Sequence, residues 1–208
     1  VRSRQGHGHD PAQFGFKAGD ALYRAFECRT VDTLVALGSN GRAYSVAVSA
    51  LPGGRGDGVP LTTLVDLAPG TQIVHSHAGA ADTRLLVATA AGFGFVTQLS
   101  DLVSRNRAGK TFLSLSDDVK FGDAPLAWAP VAPAANQIAC LSGNGRLLTF
   151  ALDELKTMSG GRGLTLIGLD DGEALVQAVA FGAGGVEVAG IGRGGKAMQA
   201  TLSAAALA

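Results

Sequence analysis

Arginine and lysine stand beside glycine in several short segments of this 208-residue chain. Gly-Gly-Arg-Gly occurs twice, at 53–56 and at 160–163, and residues 104–110 read SRNRAGK. Glycine lets another backbone approach closely, and arginine donates paired hydrogen bonds to phosphate or carboxylate oxygens. These segments therefore suit contact with an anionic backbone, although loop formation at a solvated surface is the alternative interpretation.

The charge of the chain is balanced in total but unevenly placed. Seventeen basic and seventeen acidic residues give a formal net charge of zero. Four windows, 1–8, 53–58, 104–110 and 156–163, hold eight of the basic residues and a single acid. This segregation predicts a local basic surface on a neutral body, which is typical of a site for phosphate groups.

Two other patterns could carry chemistry but favour structural roles. Residues 190–195, GIGRGG, satisfy the dinucleotide-binding spacing, yet the alternating strand pattern that follows predicts a hairpin turn instead. Asp101 and Glu154 recur at the same position of a repeat, which indicates turn or cap chemistry because an active site needs a unique arrangement. The sequence predicts no catalytic residue.

Two histidine pairs could hold a metal ion in principle. His7 and His9, and likewise His75 and His77, place two imidazoles on one face of a strand. Nothing in the sequence puts a third ligand beside either pair. We therefore expect no metal site and interpret these residues as solvent-facing or hydrogen-bonded histidines.

A repeat of about fifty residues organises the chain. Four segments align on Gly41, Gly92, Gly145 and Gly195, and each predicts a strand, a tight turn and a second strand. The Asn-Gly pairs at 40–41 and 144–145 favour type I′ turns. The two Gly-Gly-Arg-Gly motifs are expected at equivalent junctions between repeats. The predicted strand pairs are Thr33–Leu37 with Arg42–Val46, Arg84–Thr89 with Phe93–Leu99, Gln137–Leu141 with Arg146–Leu152, and Gly185–Ala189 with Lys196–Leu202.

Composition and the repeat together predict an all-β fold. Apolar residues make up 47% of the chain and thirty residues are glycine, as expected for many short strands and turns. Further strand-like runs, TQIVHSH, APLAWAPV and EALVQAVAF, bring each repeat to about four strands, the size of a propeller blade. We expect a single domain over 1–208, with blade-like units at about 1–52, 53–104, 105–159 and 160–208.

Cysteine usage and hydropathy indicate the environment of the chain. Cys28 and Cys140 lack metal-binding spacing, so we interpret them as free thiols in a reducing cytoplasm. Glycine and proline interrupt every apolar stretch well short of membrane length, so no membrane span is expected. The first residues resemble the end of a strand, and we expect the chain to be part of a longer protein.

Several segments, taken in order, carry a resemblance to a known family. The segments GHGHD, KAGDAL, SNGRAYSV, LPGGRGDGVPLT, AAGFGFV, LVSRNRAGKTFLSL, NGRLLTFALDEL and GGRGLTLIGL resemble the C-terminal domain of the A subunit of bacterial DNA topoisomerase IV. The resemblance implies a β-pinwheel, a propeller-like disc with DNA bent around a basic rim. It also implies five blades, the first of them incomplete here.

The resemblance implies particular DNA contacts. The first group comprises basic residues of the glycine-containing segments, and the second comprises basic residues that follow the anchor glycines. These residues are Arg4, Arg55, Arg105, Arg107, Lys110 and Arg162 in the first group, and Arg42, Arg146 and Lys196 in the second.

The implied function is sequence-independent binding and bending of double-stranded DNA, which captures or orients the transported duplex for ATP-dependent decatenation and relaxation. The segment itself would hold no catalytic residue or cofactor, since ATP and magnesium act elsewhere in a holoenzyme of two A and two B chains. The implied location is the bacterial cytoplasm, at the nucleoid, with a role in chromosome segregation.

Two alternatives stay open from the sequence. The related C-terminal domain of the gyrase A protein wraps DNA through a glutamine-, arginine- and glycine-rich box, similar to QRRGGKG, which no segment here completes. A propeller-like protein-interaction module is the other alternative, in which a face of the disc rather than its rim would be functional.

Overall fold

The strands form small antiparallel sheets connected by glycine-rich turns. The computed structural model describes residues 1–117, 122–191 and 196–203. Within these ranges there is no α-helix, and the predicted all-β class is confirmed. The strands are β1 Thr33–Gly38, β2 Arg42–Ala47, β3 Ile73–Gly79, β4 Arg84–Ala88, β5 Phe93–Gln98, β6 Lys110–Thr111, β7 Ala129–Pro130, β8 Gln137–Ser142, β9 Leu147–Ala151, β10 Leu164–Thr165, β11 Leu175–Phe181, β12 Val186–Ile191 and β13 Ala197–Leu202.

Short 3₁₀ helices follow the second strand of several hairpins. Val48–Ala50 follows β2, Leu99–Leu102 follows β5, and Leu152–Glu154 follows β9. Two further 3₁₀ helices are Pro11–Gln13 and Leu61–Thr63. Each of the three helices after a hairpin connects its second strand to the segment that follows.

The first of two compact units comprises Val1–Thr83 and Gln98–Phe112. Its sheet has the order β3-β1-β2-β6. Strand β1 pairs with β2 from Thr33 opposite Ala47, and β6 adds to the outer edge of β2. Leu34, Tyr44 and Val65 are among the buried residues that pack beneath this sheet.

The second unit comprises Arg84–Thr97 and Leu113–Ala208. It contains the sheets β10-β5-β4-β7, β11-β8-β9 and β12-β13. One apolar cluster that includes Val96, Ile138 and Leu175 joins residues of the first two of these sheets. The strands of a sheet come from successive repeats, since β10 lies far along the chain from β5.

The hairpin turns differ from the predicted type I′ geometry. No described residue other than glycine has a positive φ, so Asn40 and Asn144 are not left-handed. Gly41 has φ 74° and donates its N–H to the carbonyl of Gly38, and Gly145, with φ 81°, donates to Ser142. This arrangement is typical of a three-residue loop, a right-handed turn followed by a left-handed glycine. The type I′ prediction was wrong because asparagine-glycine pairs also suit this longer loop.

The predicted strand APLAWAPV is reduced to the two residues of β7. Ala129 and Pro130 pair with Leu86 and Leu85, and Pro125 makes an isolated bridge to Thr89. Proline has no N–H to donate, so strands that contain it stay short and lie at sheet edges. The other two predicted runs form the full strands β3 and β11.

The two-residue strands β6 and β10 complete the burial of the hairpins that they join. Tyr44 and Phe95, each three residues after its anchor glycine, have no exposed surface. Leu148 takes the same position in the β8–β9 hairpin and is 42% exposed. Among the described residues, no strand pairs with the outer edge of β9. The added strand is thus one difference between the fully buried and the half-covered position, although Tyr44 also packs against Val65.

Truncation of these equivalent side chains should have unequal effects. We expect Phe95→Ala to lower the free energy of unfolding by about 3–5 kcal/mol, the usual cost of removing a buried aromatic ring. Leu148→Ala, at the half-covered position, should cost about 1 kcal/mol, because part of that side chain already contacts water. Urea denaturation of both variants checks the comparison, and equal losses would contradict it.

Candidate nucleic-acid interface

Three loops, which we call the junction loops, contain four of the nine predicted contact residues, namely Arg55, Arg105, Arg107 and Arg162. They span residues 52–58, 103–109 and 156–163, and each ends on a left-handed glycine, namely Gly58 at φ 83°, Gly109 at φ 67° and Gly163 at φ 83°. A Cβ atom on Gly58 or Gly109 would lie 2.5 Å from the carbonyl oxygen of Val1 or Ala43. Glycine is therefore required by both the backbone angle and the close approach.

The two Gly-Gly-Arg-Gly motifs occupy equivalent junctions but in different register. In the first loop the left-handed glycine is Gly58, two residues beyond the motif, whereas in the third it is Gly163, the last residue of the motif. Arg55 therefore lies three residues before its glycine, and Arg162 lies directly before it. The same four letters present arginine at two different places on the loop.

Hydrogen bonds to the surrounding strands hold the second junction loop, 103–109. Ser45 on β2 accepts a hydrogen bond from the Ser104 amide at 2.9 Å and donates to the Ser104 carbonyl at 2.7 Å. The Asp66 amide donates to the carbonyl of Arg107 at 2.9 Å. Within the loop, Asn106 accepts from the Ala108 amide through its side chain. The loop is thus fixed along most of its length.

The basic side chains in this loop, and Lys110 directly after it, differ in the hydrogen bonds and ion pairs that they make. Arg105 is exposed and Lys110 is half-buried, and within the described ranges no hydrogen bond or ion pair engages either side chain. Arg107 is exposed and donates to the Thr63 carbonyl at 3.0 Å and to Asp66 at 3.4 Å. Because both partners of that ion pair are well exposed, it holds Arg107 only weakly.

The Arg42 side chain also belongs to this loop. Its Nε donates to the carbonyl of Ala108 at 3.1 Å, and its Nη2 donates to that of Gly109 at 2.9 Å. Its Nη1 lies 3.3 Å from the Thr111 hydroxyl. Arg42 is half-buried and makes its contacts within the protein.

Arg4 and Arg55 both lie at the first junction loop, Arg4 against Gly54 and Arg55 within the loop. Gly54 leaves room for Arg4, because a Cβ on Gly54 would lie 3.2 Å from the Cβ of Arg4. The Arg4 guanidinium lies 5.8 Å from the ring centroid of Phe14. Arg55 is exposed, with no partner among the described residues.

The acidic residue of the first junction loop is already paired. The Asp57 carboxylate binds Lys17 at 2.8 Å, and this hydrogen bond raises the pKa of Lys17. Both side chains are largely exposed. The pairing offsets the negative charge that Asp57 adds beside Arg55.

Arg162 in the third junction loop is held by an aromatic ring. Its guanidinium lies 4.0 Å from the ring centroid of Phe93, and its Nη2 is 3.4 Å from the Ser116 hydroxyl. Phe93 follows the anchor glycine Gly92, as Arg42 follows Gly41. The arginine itself remains exposed.

The last two predicted contacts, Arg146 and Lys196, lie neither in a junction loop nor against one. Arg146 donates to the carbonyl of Gly168 at 2.9 Å and to the buried carboxylate of Glu173. Hydrogen bonds from the Asp170 amide, the Ser142 hydroxyl and Arg146 lower the pKa of Glu173 to about 2. Lys196 is exposed directly before β13.

The candidate histidines and carboxylates take structural positions. His75 is buried on β3 and accepts a hydrogen bond from Arg24, whereas His9 is exposed and contacts the Gln5 carbonyl. No group of three potential metal ligands occurs within the described parts of the chain. Asp101 accepts from the Gln98 amide, and Glu154 from the Ala151 amide, so the predicted capping role is confirmed.

The two units carry opposite net charge. Unit 1 contains ten basic and eight acidic residues, and unit 2 contains seven and nine. The first unit therefore has a net charge of +2 and the second of −2. The first two junction loops belong to the basic unit, which makes them the stronger candidate for an anionic ligand.

Comparison with known proteins decides the family. The family model described as the DNA gyrase C-terminal domain, beta-propeller, matches residues 32–70, 83–120 and 136–181. The chain belongs to this family. The β-pinwheel class expected from the sequence is the fold of this family and is confirmed, whereas the number of blades stays a prediction.

Within the gyrase C-terminal domain family, the chain is similar to topoisomerase IV proteins. It is 34% identical to the DNA topoisomerase 4 A subunit of Escherichia coli over 174 residues, and 37% identical to that of Neisseria gonorrhoeae over 182. These alignments cover 84% and 85% of this chain but 23% of each relative, so the chain spans about a quarter of their length.

A solved structure agrees with the sequence comparison. The structure of the E. coli ParC C-terminal domain matches with a TM-score of 0.86 and 29% identity, over 99% of this chain and 83% of that one. The resemblance to the C-terminal domain of the topoisomerase IV A protein, stated from the sequence motifs, is thereby confirmed. No helix within the described ranges has the length and apolarity of a membrane span.

Sequence reasoning about this family member missed the residues that hold the loops. Arg2 donates to the carbonyls of Gly56 and Gly15, and Ser45 fixes Ser104. Ser45 carries no signal in the sequence, because a serine within an alternating strand is unremarkable. Arg2 lies in a basic window, but its partners are set by tertiary contacts.

The left-handed glycine of the second junction loop gives a stability prediction. We expect Gly109→Ala to lower the free energy of unfolding by more than about 2 kcal/mol, because alanine is disfavoured at this φ and its Cβ would collide with the Ala43 carbonyl. Gly56→Ala is the matched control, since no atom lies within 4 Å of its Cβ position. The control should stay within about 0.5 kcal/mol. Similar losses in denaturant titrations of both variants would refute the requirement.

The buried histidine gives a pH prediction. Burial, and then the charges of Arg24 and His77, lower the pKa of His75 to about 4, from 6.5. Between these values the unfolded chain binds more protons, so stability falls as the pH is lowered through this range. We expect a loss of up to about 2 kcal/mol between pH 7 and pH 5. His75→Gln should reduce this dependence and His9→Gln should not; urea midpoints that are equal at the two pH values would contradict the assignment.

Proposed function

We propose that the chain binds double-stranded DNA through its junction loops, as the C-terminal domain of a topoisomerase IV A protein. The observation that carries this proposal is the rigid loop 103–109, which presents Arg105 without any partner among the described residues. Membership of the gyrase C-terminal domain family supports DNA as the ligand.

Phosphate contact explains the residue types in these loops. Glycine brings the backbone close to a ligand, and exposed arginine donates charge-assisted hydrogen bonds to phosphate oxygens. No described α-helix is available to enter the major groove. Binding of this kind is independent of base sequence and strongly dependent on salt concentration.

The predicted contacts then rank by their freedom. Arg55, Arg105 and Lys110 lack competing partners within the described ranges, and Arg107 has only exposed ones. Arg4 and Arg162 lie against aromatic rings and keep their charge accessible. Arg146 is tied to Glu173, and Lys196 stands apart from the junction loops, so we place both below these six residues.

In the longer protein, the domain would capture or orient the transported duplex during ATP-dependent decatenation and relaxation. The curated relatives are bacterial topoisomerase IV proteins, which supports assembly with the rest of the A chain and with the B chain of such an enzyme, in the cytoplasm at the nucleoid. ATP and magnesium would act in the other parts of the enzyme, and this chain would contribute DNA binding without catalytic residues.

A salt titration tests the proposed DNA contacts. The full chain is titrated with a random duplex, about three helical turns long, at several salt concentrations. We expect Arg105→Ala to weaken binding and to reduce the slope of log affinity against log salt by about 0.9, the value for one lost phosphate contact. Arg55→Ala should behave alike.

Arg84→Ala is the control for this titration. Arg84 is an exposed arginine at the start of β4, outside the junction loops, so its removal should leave the slope unchanged. If the unaltered chain shows no binding to duplex DNA at low salt, the proposal fails and a protein-interaction role is favoured. If Arg84→Ala and Arg105→Ala have the same effect, the contact assignment fails.

A further inference from the structure

In the β1–β2 and β4–β5 hairpins, the residue after the anchor glycine contacts the segment that returns to that hairpin. In the β1–β2 hairpin this residue is Arg42, and three of its guanidinium nitrogens lie within 3.3 Å of acceptors between Ala108 and Thr111. These acceptors lie at the end of the second junction loop and in β6. Arg42 therefore bridges the loop to the strand that completes the sheet beside β2.

Three of the five N–H groups of the Arg42 guanidinium donate within the protein. Its Nε and Nη2 satisfy two consecutive carbonyls, those of Ala108 and Gly109, in the fork geometry that a planar guanidinium allows. A phosphate bound at the same Nε and Nη2 edge would have to displace these bonds and leave the two carbonyls to be satisfied otherwise. Arg105, three residues before Ala108, has no such commitment among the described residues.

The β4–β5 hairpin shows the arrangement without this arginine. Phe93 stands at the equivalent position, and the junction-loop arginine Arg162 lies over its ring at 4.0 Å. The contact thus runs in the opposite direction, from the loop side chain to the hairpin. In the 103–109 loop, by contrast, the Arg42 side chain holds the loop backbone, and Arg105 has no partner among the described residues.

We propose that Arg42 is a positioning residue of the DNA-binding loop rather than a phosphate contact. Its guanidinium fixes the carbonyls of Ala108 and Gly109, so that Arg105 and Lys110 are presented in one arrangement. This inference rests on the proposed function for its effect on DNA, but the effect on the loop itself is independent of any ligand.

Arg42→Lys distinguishes a positioning residue from a phosphate contact. It keeps the positive charge but loses the paired N–H donors of the guanidinium. A lysine in contact with phosphate would keep most of the affinity, whereas one ammonium cannot hold both carbonyls and the threonine hydroxyl. We expect Arg42→Lys and Arg42→Ala to weaken duplex binding alike, by about tenfold, which corresponds to roughly one lost charge-assisted hydrogen bond. The salt slope should stay at the value of the unaltered chain, unlike that of Arg105→Ala.

Limited trypsin digestion without DNA supplies the second measurement. Release of the loop should speed cleavage after Arg105 and Arg107 in both Arg42 variants, while circular dichroism shows that the β fold is retained. Cleavage after Arg105 and Arg107 reports on the order of the loop and does not depend on DNA. It therefore still tests the positioning role if the unaltered chain fails to bind DNA.

Specific outcomes would overturn the inference. Arg42→Lys with unaltered affinity, together with a slope reduced by about 0.9 in Arg42→Ala, would make Arg42 a phosphate contact. Unaltered binding and unaltered cleavage in both variants would remove it from the interface. If one variant unfolds by circular dichroism, the other supplies the measurement, since either substitution breaks the fork.

Discussion

Close passage of one backbone over another is the constraint on which the junctions depend. At Gly58, Gly109 and Gly163 the chain crosses a carbonyl of an earlier segment at a distance that leaves no room for a side chain. The crossing sets where each returning segment begins, and hence where β6 and β10 join their sheets. It also fixes the loop before the glycine, so the placement of the arginines follows from a backbone contact rather than from their own interactions.

Much of the architecture could be predicted from periodicity in the sequence. The anchor glycines located the hairpins β1–β2 and β8–β9 to within one or two residues, because apolar alternation and left-handed glycine are local signals. The two-residue strands carry no such signal, since a pair such as Lys110–Thr111 becomes a strand only when β2 lies beside it. The turn type was wrong for a related reason, as Asn-Gly suits more than one loop length.

The candidate interface was predictable in composition, but the partners of each arginine were not. Basic residues beside glycine indicated the loops, and Arg105 has no partner among the described residues, as a phosphate contact requires. Arg42 and Arg146 each follow an Asn-Gly pair. Arg42 nevertheless holds carbonyls of a junction loop, whereas Arg146 holds a buried glutamate. Partners distant in the chain decide between these roles, and a single sequence does not display them.

Completion of the β1–β2 and β4–β5 hairpins by later segments has a consequence for biosynthesis. Strands β1 and β2 are finished by residue 47, but their sheet lacks its fourth strand until residue 111 has been made. Until then the outer edge of β2 is open to pairing with other chains. Each of these two hairpins is therefore synthesised more than sixty residues before the strand that completes its sheet edge.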